Sequence, residues 1–361
     1  MSRELRVLQI LNMRSVKNGI ISYVFAEMDA LEGRVRSDFV MVNEPDGALK
    51  EHIERLGGKL FVLRMRNRNP LDYVKKLSGI MREGGYDAVH AHGNSCTLLT
   101  EMIAAKNAGM SVRIPHAHNT SCNQKFLHAV LRPFFDRSYT AAAACGEAAG
   151  RFLFRNRPFT VRKNGIETDR FAFHPEGRTR VRHELGLEDR FVVLHVGGFN
   201  DYKNQMFLLE PLRKAMGNRG DLIMLFAGDG ERLDAVREKA EDDPWIRFLG
   251  NRSDVPDLLA AADLFVLPSL YEGFPISLIE AQASGLPCLV SEKVTADAAI
   301  TNFVRFLPLE GEKWAEALER ACAENAETRL AGAERVRAAG YERTDTAEEL
   351  LRFYKDQTGT A

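Results

Sequence analysis

The sequence lacks the features that mark secreted, zinc-binding and membrane-spanning proteins. Its five cysteines lie far apart and form no CxxC pair, which argues against a disulfide framework or a zinc site and fits a reducing compartment. No run of eighteen apolar residues occurs, and the N-terminus MSRELRVLQIL has no long apolar core of a signal peptide. We therefore expect a cytoplasmic protein, with peripheral contact at the inner face of the membrane as its one further location.

The net charge is small, but charge is unevenly divided along the chain. The net charge is −1, and we expect no nucleic acid among the partners. Residues 1–172 nevertheless carry 26 Lys and Arg against 17 Asp and Glu, whereas residues 173–361 carry 23 against 33. A basic half suggests an anionic partner, such as a phosphorylated acceptor or a membrane surface, although chance segregation of solvated faces explains the division equally well.

Short apolar runs alternate with longer amphipathic stretches throughout the chain, which is the pattern of βαβ units and parallel sheets. At 361 residues, the chain is long enough for two such domains. We predict an α/β fold of two Rossmann-like domains facing each other across a cleft. The first would span 1–172, the second 173–344, with a polar linker at 171–190 and a last helix within 345–361 that packs back on the first domain. Functional residues should follow strand ends. The predicted strands are 6–11, 38–42, 59–63, 88–92, 112–117, 140–145, 191–197, 222–228, 246–250, 264–269 and 287–291.

The most informative stretch is LFVLPSLYEGFPISLIEAQASGLPCLVS at 264–291. An apolar strand leads into a loop with Glu272, and a helix is expected to begin at about Pro275, a residue that suits the first helical position. The free N–H groups of such a helix start attract a phosphate. Glu272 in the loop and Glu280 in the helix could accept hydrogen bonds from sugar or ribose hydroxyls, although a solvated role is the plainer alternative for either one alone.

Four other short blocks accompany EGFPISLIEAQASGLPCLVS, namely GDG at 228–230, FLGNRSDV at 248–255, NGIE at 164–167 and HAHN at 116–119. In their order and spacing the five blocks together resemble the retaining glycosyltransferases of family 4, which have the B-type two-Rossmann fold. They resemble in particular bacterial capsular and exopolysaccharide transferases. The resemblance spans nearly the whole chain. It implies transfer of a sugar from a nucleotide-diphosphate donor, with UDP-sugar expected, to a saccharide or lipid-linked acceptor in surface polysaccharide biosynthesis.

The resemblance also implies roles for residues of the second domain. Glu272 would contact the donor sugar as a catalytic residue, Glu280 would bind the ribose, and Lys203 would neutralise the leaving diphosphate. Gly198 stands where the family has an arginine, so either another cation such as Arg252 or Arg162 substitutes or turnover is slow. The expected donor-binding residues are Gly19, Gly198, Asn251, Arg252, Gly273, Phe274, Pro275, Ile276 and Glu280.

In the first domain, HAHGNS at 90–95 and HAHNTS at 116–121 end two predicted strands. His118 matches the histidine that the family holds near the transferred sugar, and His92, His116 and Asn119 are expected on the acceptor side. The four histidines could in principle hold a metal. Because the family resembled needs no ion, we expect no metal and no other cofactor.

Two alternatives stay open. The chain could be a catalytically weakened relative that only binds a nucleotide sugar, or a nucleotide-sugar epimerase or phosphorylase of related fold. A smaller question concerns KFLHAVLRPFFDRSY at 125–139, which mixes apolar with basic residues and could meet a membrane or a lipid-linked acceptor. We favour an ordinary helix with its apolar side in the core, interrupted at Pro133.

Overall fold

A computed structural model describes residues 4–13 and 19–360, and two parallel sheets organise this part of the chain. One unit ends at Gly165 and takes up the chain again at Arg343, and the other runs Ile166–Glu342. The boundaries predicted from the sequence lie at 172–173 and 344–345. The two sheets confirm the predicted α/β class with two Rossmann-like domains.

The first unit has a seven-stranded sheet with the order β3-β2-β1-β4-β5-β6-β7. Its central strands are buried on both faces because helices cover both sides of a parallel sheet. The strands are β1 Leu5–Leu11, β2 Val35–Met41, β3 Leu60–Val62, β4 Ala88–His92, β5 Val112–Ala117, β6 Ala143–Ala144 and β7 Thr160–Val161. The helices are α1 Gly19–Ala30, α2 Gly47–Arg55, α3 Pro70–Gly84, α4 Leu99–Asn107, α5 Lys125–Phe135 and α6 Glu147–Phe154, with a 3-10 turn at Cys96–Leu98.

The second unit has a six-stranded sheet with the order β10-β9-β8-β11-β12-β13. Its core gathers large apolar side chains such as Phe226 and Trp314. The strands are β8 Phe191–Val196, β9 Leu222–Ala227, β10 Ile246–Gly250, β11 Leu264–Leu267, β12 Cys288–Ser291 and β13 Val304–Leu307. The helices are α7 Thr168–Phe171, α8 Pro175–Glu184, α9 Gln205–Arg219, α10 Leu233–Lys239, α11 Val255–Ala261, α12 Ile276–Ala283, α13 Gly311–Arg320, α14 Ala326–Leu330 and α15 Gly332–Ala338, with a 3-10 turn at Ala296–Ala298. A last helix, α16 Arg343–Thr358, belongs to the first unit.

Two local predictions were wrong, and a third differs from the structure by one residue. The expected linker at 171–190 contains α8 of the second unit, because Pro175 opens that helix at a position where proline is well tolerated. Pro133 does not interrupt α5, which continues to Phe135. Pro275 is the residue before α12, which begins at Ile276. None of the helices in residues 4–13 and 19–360 is long and apolar enough to cross a membrane.

A buried arginine ties together three helices of the second unit. Arg329 of α14 is only 2% exposed and lies over the ring of Phe173. Its guanidinium donates hydrogen bonds at the ends of α11 and α12, where the last carbonyl groups of a helix have no partner inside the helix. The acceptors are the backbone oxygens of Leu259, Ala260, Ala262 and Ser284 and the hydroxyl of Ser284.

A buried carboxyl connects α1 with α16 in the first unit. Thr346 donates its hydroxyl to Glu27 Oε1 at 2.9 Å, and Glu27 Oε2 is buried with no hydrogen-bond partner. Burial raises the pKa of Glu27 from 4.5 to about 7 against the opposing effects of Thr346 and Arg162. The folded protein therefore keeps Glu27 protonated to a higher pH than the unfolded chain does.

We expect this carboxyl to make the protein less stable as the pH rises. Because the folded pKa lies above the unfolded one, the stabilisation is complete below about pH 4.5 and is lost as the pH rises through about 7. The loss is of order 3 kcal/mol in the free energy of unfolding. Guanidinium unfolding of the wild type and of Glu27→Gln at pH 5 and pH 8 measures it. The variant should lose less stability than the wild type over this range, and parallel pH profiles for the two proteins would contradict the assignment.

Candidate functional site

Each of the two sheets has one point at which its strand order reverses. The predicted site residues follow the strands that lie at these two points. In the first unit the reversal lies between β1 and β4, and in the second between β8 and β11. Ligands of open α/β sheets bind outside the carboxyl ends of strands at such switch points. His92 ends β4, Lys203 follows β8 and Glu272 follows β11. Each unit thus offers its own candidate site.

The second unit brings Lys203 and Glu272 into direct contact. Lys203 Nζ lies 2.7 Å from Glu272 Oε1, and their side chains are only 14% and 11% exposed. Ser269 donates its hydroxyl to the same carboxylate oxygen at 2.8 Å, and Asn200 accepts a hydrogen bond from the Lys203 N–H. These contacts hold a largely buried ammonium group next to a carboxylate of fixed orientation. Such a pair suits a site that binds both phosphate and hydroxyl groups.

The start of α12 follows Glu272 by four residues in the chain. No side chain caps the helix, and the N–H groups that bond back to Pro275 are those of Leu278 and Ile279. The first N–H groups of an α-helix have no partner within the helix and carry partial positive charge. Gly273 and Phe274 precede this start, and Glu280 lies in the middle of the helix, half-buried. The arrangement can accept an anion at the helix start.

The loops after β8 and β9 approach each other so closely that two glycines are required. Gly228 and Gly230 have φ values of +143° and +154°. A Cβ added to Gly228 would lie 2.0 Å from the carbonyl oxygen of Gly197, and one on Gly230 would lie 2.3 Å from that of Phe199. Gly198 differs, because a Cβ there would meet only Asp229 O at 3.6 Å and Asn200 Nδ2 at 3.7 Å. A Cβ therefore fits at Gly198 in ordinary van der Waals contact.

The two cations considered as substitutes for the missing arginine are both engaged elsewhere. Arg252 binds both carboxylate oxygens of Asp254, at 2.8 and 2.6 Å. Arg162 lies in the first unit, 3% exposed, where it donates to the backbone oxygen of Thr346 and pairs with Glu349. Asn251 is exposed and donates to Asp229 Oδ2 at 3.4 Å. Lys203 is thus the cation that the second unit holds against Glu272.

In the first unit, four histidines form one buried cluster at the carboxyl ends of β4 and β5. The rings of His116 and His118 stack at 4.0 Å, and those of His90 and His92 lie 4.3 Å apart. Burial lowers the pKa of His90 and of His118 to about 3 and that of the other two well below the usual value. All four rings are therefore neutral at physiological pH.

Gln9 and Tyr354 determine which nitrogens of the cluster carry protons. The Gln9 amide nitrogen donates to Met28 Sδ and to the Tyr354 hydroxyl, so that hydroxyl donates to His90 Nδ1 at 2.7 Å. His90 Nε2 must then carry the proton that it shares with His116 Nδ1 at 3.0 Å. His116 Nε2 consequently bears a proton, and it is buried without a partner.

The second branch of the same network leads to His118. His92 Nε2 donates to Gln9 Oε1 at 3.0 Å, which leaves His92 Nδ1 to accept from His118 Nε2 at 2.9 Å. His118 Nδ1 therefore carries a lone pair. A neutral imidazole with its acceptor nitrogen so defined can receive a hydrogen bond from a sugar hydroxyl.

The remaining residues predicted for the first unit lie in the adjoining loops. Asn94 accepts a hydrogen bond from the His118 N–H, and the Asn119 side chain accepts one from the Thr120 N–H. Gly19 is the first residue of α1, and a Cβ added to it would meet nothing within 4 Å. Residues 14–18 lie outside the described residues, and the expected role of Gly19 in donor binding stays a prediction.

The histidine cluster contains the ligand type that zinc prefers. Ligand nitrogens of His90, His92 and His116 all lie within 4.8 Å of one another. Two of the contacts in the cluster join one ring nitrogen directly to another, namely His90 to His116 and His92 to His118. These nitrogens already satisfy each other without an ion, so the geometry gives no support for a metal over a hydrogen-bonded cluster.

Sequence reasoning missed Gln9 and Tyr354. Gln9 could have been noticed as the one polar residue in the run 7–11 of β1, and it lies opposite His90 of the neighbouring strand β4. Tyr354 carried no such signal, because it belongs to a helix at the other end of the chain whose contact with His90 depends on the tertiary fold.

The chain resembles known glycosyltransferases along its whole length. Residues 190–350 match the family described as "Glycosyl transferases group 1". The chain is 34% identical to a Bacillus subtilis protein named "Putative glycosyltransferase EpsF", over 99% of this chain and 98% of the relative. It is 28% identical to the "UDP-Gal:alpha-D-GlcNAc-diphosphoundecaprenol alpha-1,3-galactosyltransferase" of Escherichia coli, over 70% of this chain and 71% of that one.

Solved structures share the fold at lower identity. HepE from Anabaena, crystallised in complex with UDP and glucose, superposes with a TM-score of 0.79 at 20% identity, over 98% of this chain and 100% of HepE. WaaG, a glycosyltransferase involved in lipopolysaccharide biosynthesis, superposes with a TM-score of 0.71 at 19% identity, over 96% of this chain and 99% of WaaG. Both likenesses concern the fold.

Proposed function

Because this chain belongs to the group 1 glycosyltransferases and acts on a nucleotide-sugar donor, we propose that it is a retaining enzyme with UDP-sugar as donor. The acceptor is a saccharide or lipid-linked saccharide of a surface polysaccharide. The similarity to EpsF and to a galactosyltransferase whose name contains UDP-Gal and a diphosphoundecaprenol acceptor supports these choices.

One observation carries the proposal: the contact of Lys203 with Glu272 beside the start of α12. A nucleotide-sugar donor presents a diphosphate next to a sugar that carries hydroxyl groups. Lys203 and the helix start supply positive charge for the diphosphate, and Glu272 supplies an acceptor for the sugar hydroxyls. Glu280, one helical turn further on, is our candidate for the ribose hydroxyls.

In this proposal the bond between the anomeric carbon and the diphosphate breaks, and the electron pair leaves with the diphosphate. The acceptor hydroxyl attacks on the same face, and its proton passes to the departing diphosphate oxygen. Lys203 stabilises the charge that develops on that oxygen, where electrostatic stabilisation has its largest effect. The acceptor nitrogen of His118 receives a hydrogen bond from a hydroxyl of the transferred sugar, and His92, His116 and Asn119 belong to the acceptor side.

We propose that the reaction needs no metal and no other cofactor. Divalent ions commonly neutralise a leaving diphosphate in other enzymes. Here Lys203 and the N–H groups at the start of α12 supply that positive charge, and the mutual hydrogen bonds of the histidines account for their cluster. Turnover should therefore be unchanged in EDTA.

The proposal includes peripheral contact of the first unit with a membrane. Phe126 and Phe134 of α5 are 82% and 63% exposed, and Leu127 and Val130 are exposed on the same face. The expectation that the apolar side of this helix faces the core was therefore wrong, because His128, Arg132 and Phe135 form its buried side. An exposed apolar helix face on a basic unit suits an anionic bilayer, where a lipid-linked acceptor would lie.

The donor can be identified by thermal unfolding in the presence of UDP-, GDP-, ADP- and CDP-sugars. A ligand that binds the folded state increases the free energy of unfolding, by about 2.7 kcal/mol at 100 times its Kd, and so raises the melting temperature. UDP-sugars should stabilise the protein most. The anomeric configuration of the product, read from NMR coupling constants, tests retention. Release of isomerised or free sugar from donor alone would favour an epimerase or phosphorylase instead.

Gly198 favours a second candidate, a weakened relative that binds a nucleotide sugar without efficient transfer. The geometry makes this alternative testable, since a Cβ fits at Gly198. If the chain is an enzyme, Gly198→Arg should raise kcat/KM for the donor about 10- to 100-fold, because one charge-assisted phosphate contact contributes about 1.5–3 kcal/mol.

Gly198→Leu is the matched control, since it adds bulk at the same position without charge and should give no gain. Steady-state kinetics with the donor identified by thermal unfolding measures both variants. If Gly198→Arg folds with an unchanged melting temperature and improves neither turnover nor donor affinity, the weakened relative becomes the better description.

A further inference from the structure

The first unit contains a basic cavity that the proposed donor chemistry does not use. Its volume is about 410 Å³, and it lies behind α5 on the side opposite the exposed apolar face. Four cationic side chains line it, together with uncharged residues. The lining cations are Lys125, Arg132, Arg151 and Arg155.

Arg132 adds a buried positive charge to the cavity wall, where its guanidinium also hydrogen-bonds to His128 Nε2 and donates to the Phe152 carbonyl oxygen. Its side chain is 6% exposed, and its guanidinium donates to the Leu153 carbonyl oxygen at 2.7 Å. Its Nε–H is buried and has no hydrogen-bond partner among the described residues. That Nε–H has almost no accessible surface, so Arg132 contributes its positive charge to the cavity wall and not a free donor. An anion is the ligand that such a charge favours.

The neighbouring cations are largely unneutralised. Within the described chain, neither Lys125 nor Arg155 has a carboxylate at ion-pair distance, whereas Arg151 pairs with Glu147 at 2.6 Å on the surface. Burial, and then the charges of Arg132 and Arg155, lower the pKa of His128 in the same wall. The cavity therefore has an excess of positive charge.

The cavity adjoins the histidine edge of the first sheet. Ser121 and Cys122, which line it, follow His118 in the loop after β5. His128, also in the wall, accepts a hydrogen bond at Nδ1 from the N–H of Cys96, in the turn after β4. An anion in the cavity would lie close to the loops that we assign to the acceptor.

We propose that this cavity binds a phosphate or diphosphate ester carried by the acceptor. Lys125 and Arg155 would hold the phosphate oxygens, Arg132 would add positive charge behind them, and the sugar of the acceptor would extend toward the histidine edge. The inference rests on the proposed function for the identity of the bound molecule as acceptor. The anion site itself rests on the cavity and its cations alone.

Calorimetric titration of the full chain with inorganic pyrophosphate tests the site. We expect two bound pyrophosphates per chain, one at Lys203 and one in the cavity. The double variant Lys125→Gln/Arg155→Gln should lose the second one by about 100-fold or more in affinity, since each charge-assisted contact is worth at least tenfold. Both side chains are exposed, so this variant should keep its melting temperature, and Arg132 is left intact because it supports Leu153.

Two further variants separate the possible failures. Lys75→Gln/Lys76→Gln removes the same charge from exposed positions on α3 and should leave both pyrophosphates bound, whereas Lys203→Ala should lose the other one. The cavity site would be wrong if the wild type bound a single pyrophosphate that Lys203→Ala lost. It would also be wrong if Lys125→Gln/Arg155→Gln bound both pyrophosphates as tightly as the wild type does. Neither result would contradict the donor site. Failure of every nucleotide sugar to stabilise the wild type would instead overturn the proposed function.

Two more ligands distinguish the source of the phosphate. Glucose 1-phosphate represents a soluble sugar phosphate, and farnesyl diphosphate in detergent micelles represents a prenyl-linked diphosphate. Binding of either that is weakened in Lys125→Gln/Arg155→Gln and retained in Lys75→Gln/Lys76→Gln supports the site, and the tighter of the two identifies the class of acceptor. If neither ligand nor pyrophosphate discriminates these variants, the proposal is wrong.

Discussion

Replacement of Lys203 by alanine should lower kcat by about 10²- to 10³-fold, which is the usual cost of removing one group that stabilises developing negative charge. Lys203 lies 2.7 Å from Glu272 and is only 14% exposed. In the alanine variant, water would therefore stabilise the charge of the leaving diphosphate less well than the lysine does. The loss should appear mainly in kcat, because the charge on the departing oxygen grows in the transition state. Steady-state and single-turnover rates with the donor identified by thermal unfolding measure this effect.

Two variants make the Lys203 result specific. Lys203→Arg keeps the positive charge but changes its shape, and it should recover part of the lost rate. Lys214→Ala removes an exposed lysine that also pairs with a glutamate, Glu312, and it should keep the wild-type rate because exposed pairs contribute little. If Lys203→Ala turned over at the wild-type rate while the protein remained folded, the assignment of the leaving-group site would be wrong.

Replacement of Arg329 by methionine should have the largest effect on stability. The guanidinium donates to four backbone carbonyl groups at the ends of α11 and α12. Methionine would remove this donor from the buried carbonyls of Leu259 and Ser284, whereas Arg178 also donates to the other two. We expect a loss of about 3–5 kcal/mol in the free energy of unfolding of the second unit. Thermal unfolding with and without the donor measures it.

Arg335→Met provides the matched control for Arg329. Arg335 is exposed, donates to the side chain of Asn302 and lies over the ring of Phe303. Its replacement should change the free energy of unfolding by less than about 1 kcal/mol, since it leaves no buried acceptor unpaired. Equal melting temperatures for Arg329→Met and Arg335→Met would contradict the importance that we give to the buried hydrogen bonds.

The fold and the donor side could be largely predicted from the sequence because both depend on local patterns. Strands such as FVVLHV at 191–196 are continuous apolar runs, which buried parallel strands require. Lys203 and Glu272 each follow such a run by a few residues, so the parallel sheet alone brings their loops to one edge. Their mutual contact confirms that the two lie together, whereas their catalytic roles remain predictions.

Features that depend on distant contacts could not be predicted. The polarity of the histidine cluster depends on Gln9 and Tyr354, which are far apart in the chain. The orientation of α5 was predicted wrongly because burial of an apolar side is the usual outcome. In the structure Arg132 faces inward and donates to the carbonyl oxygen of Leu153, while Phe126 faces solvent. This orientation depends on α6, which contains Leu153, and so it could not be predicted from α5 alone.

The first unit is discontinuous in the chain, because α16 joins it from beyond the second unit. Tyr354 of that helix completes the hydrogen bonds to His90 and Gln9. During translation, residues up to 165 therefore leave the ribosome long before the helix that completes their polar network. A fragment that ends at 165 would leave Glu27 without Thr346 and His90 without Tyr354. The nascent first unit should therefore stay incompletely packed, and accessible to chaperones or proteases, until synthesis is almost finished.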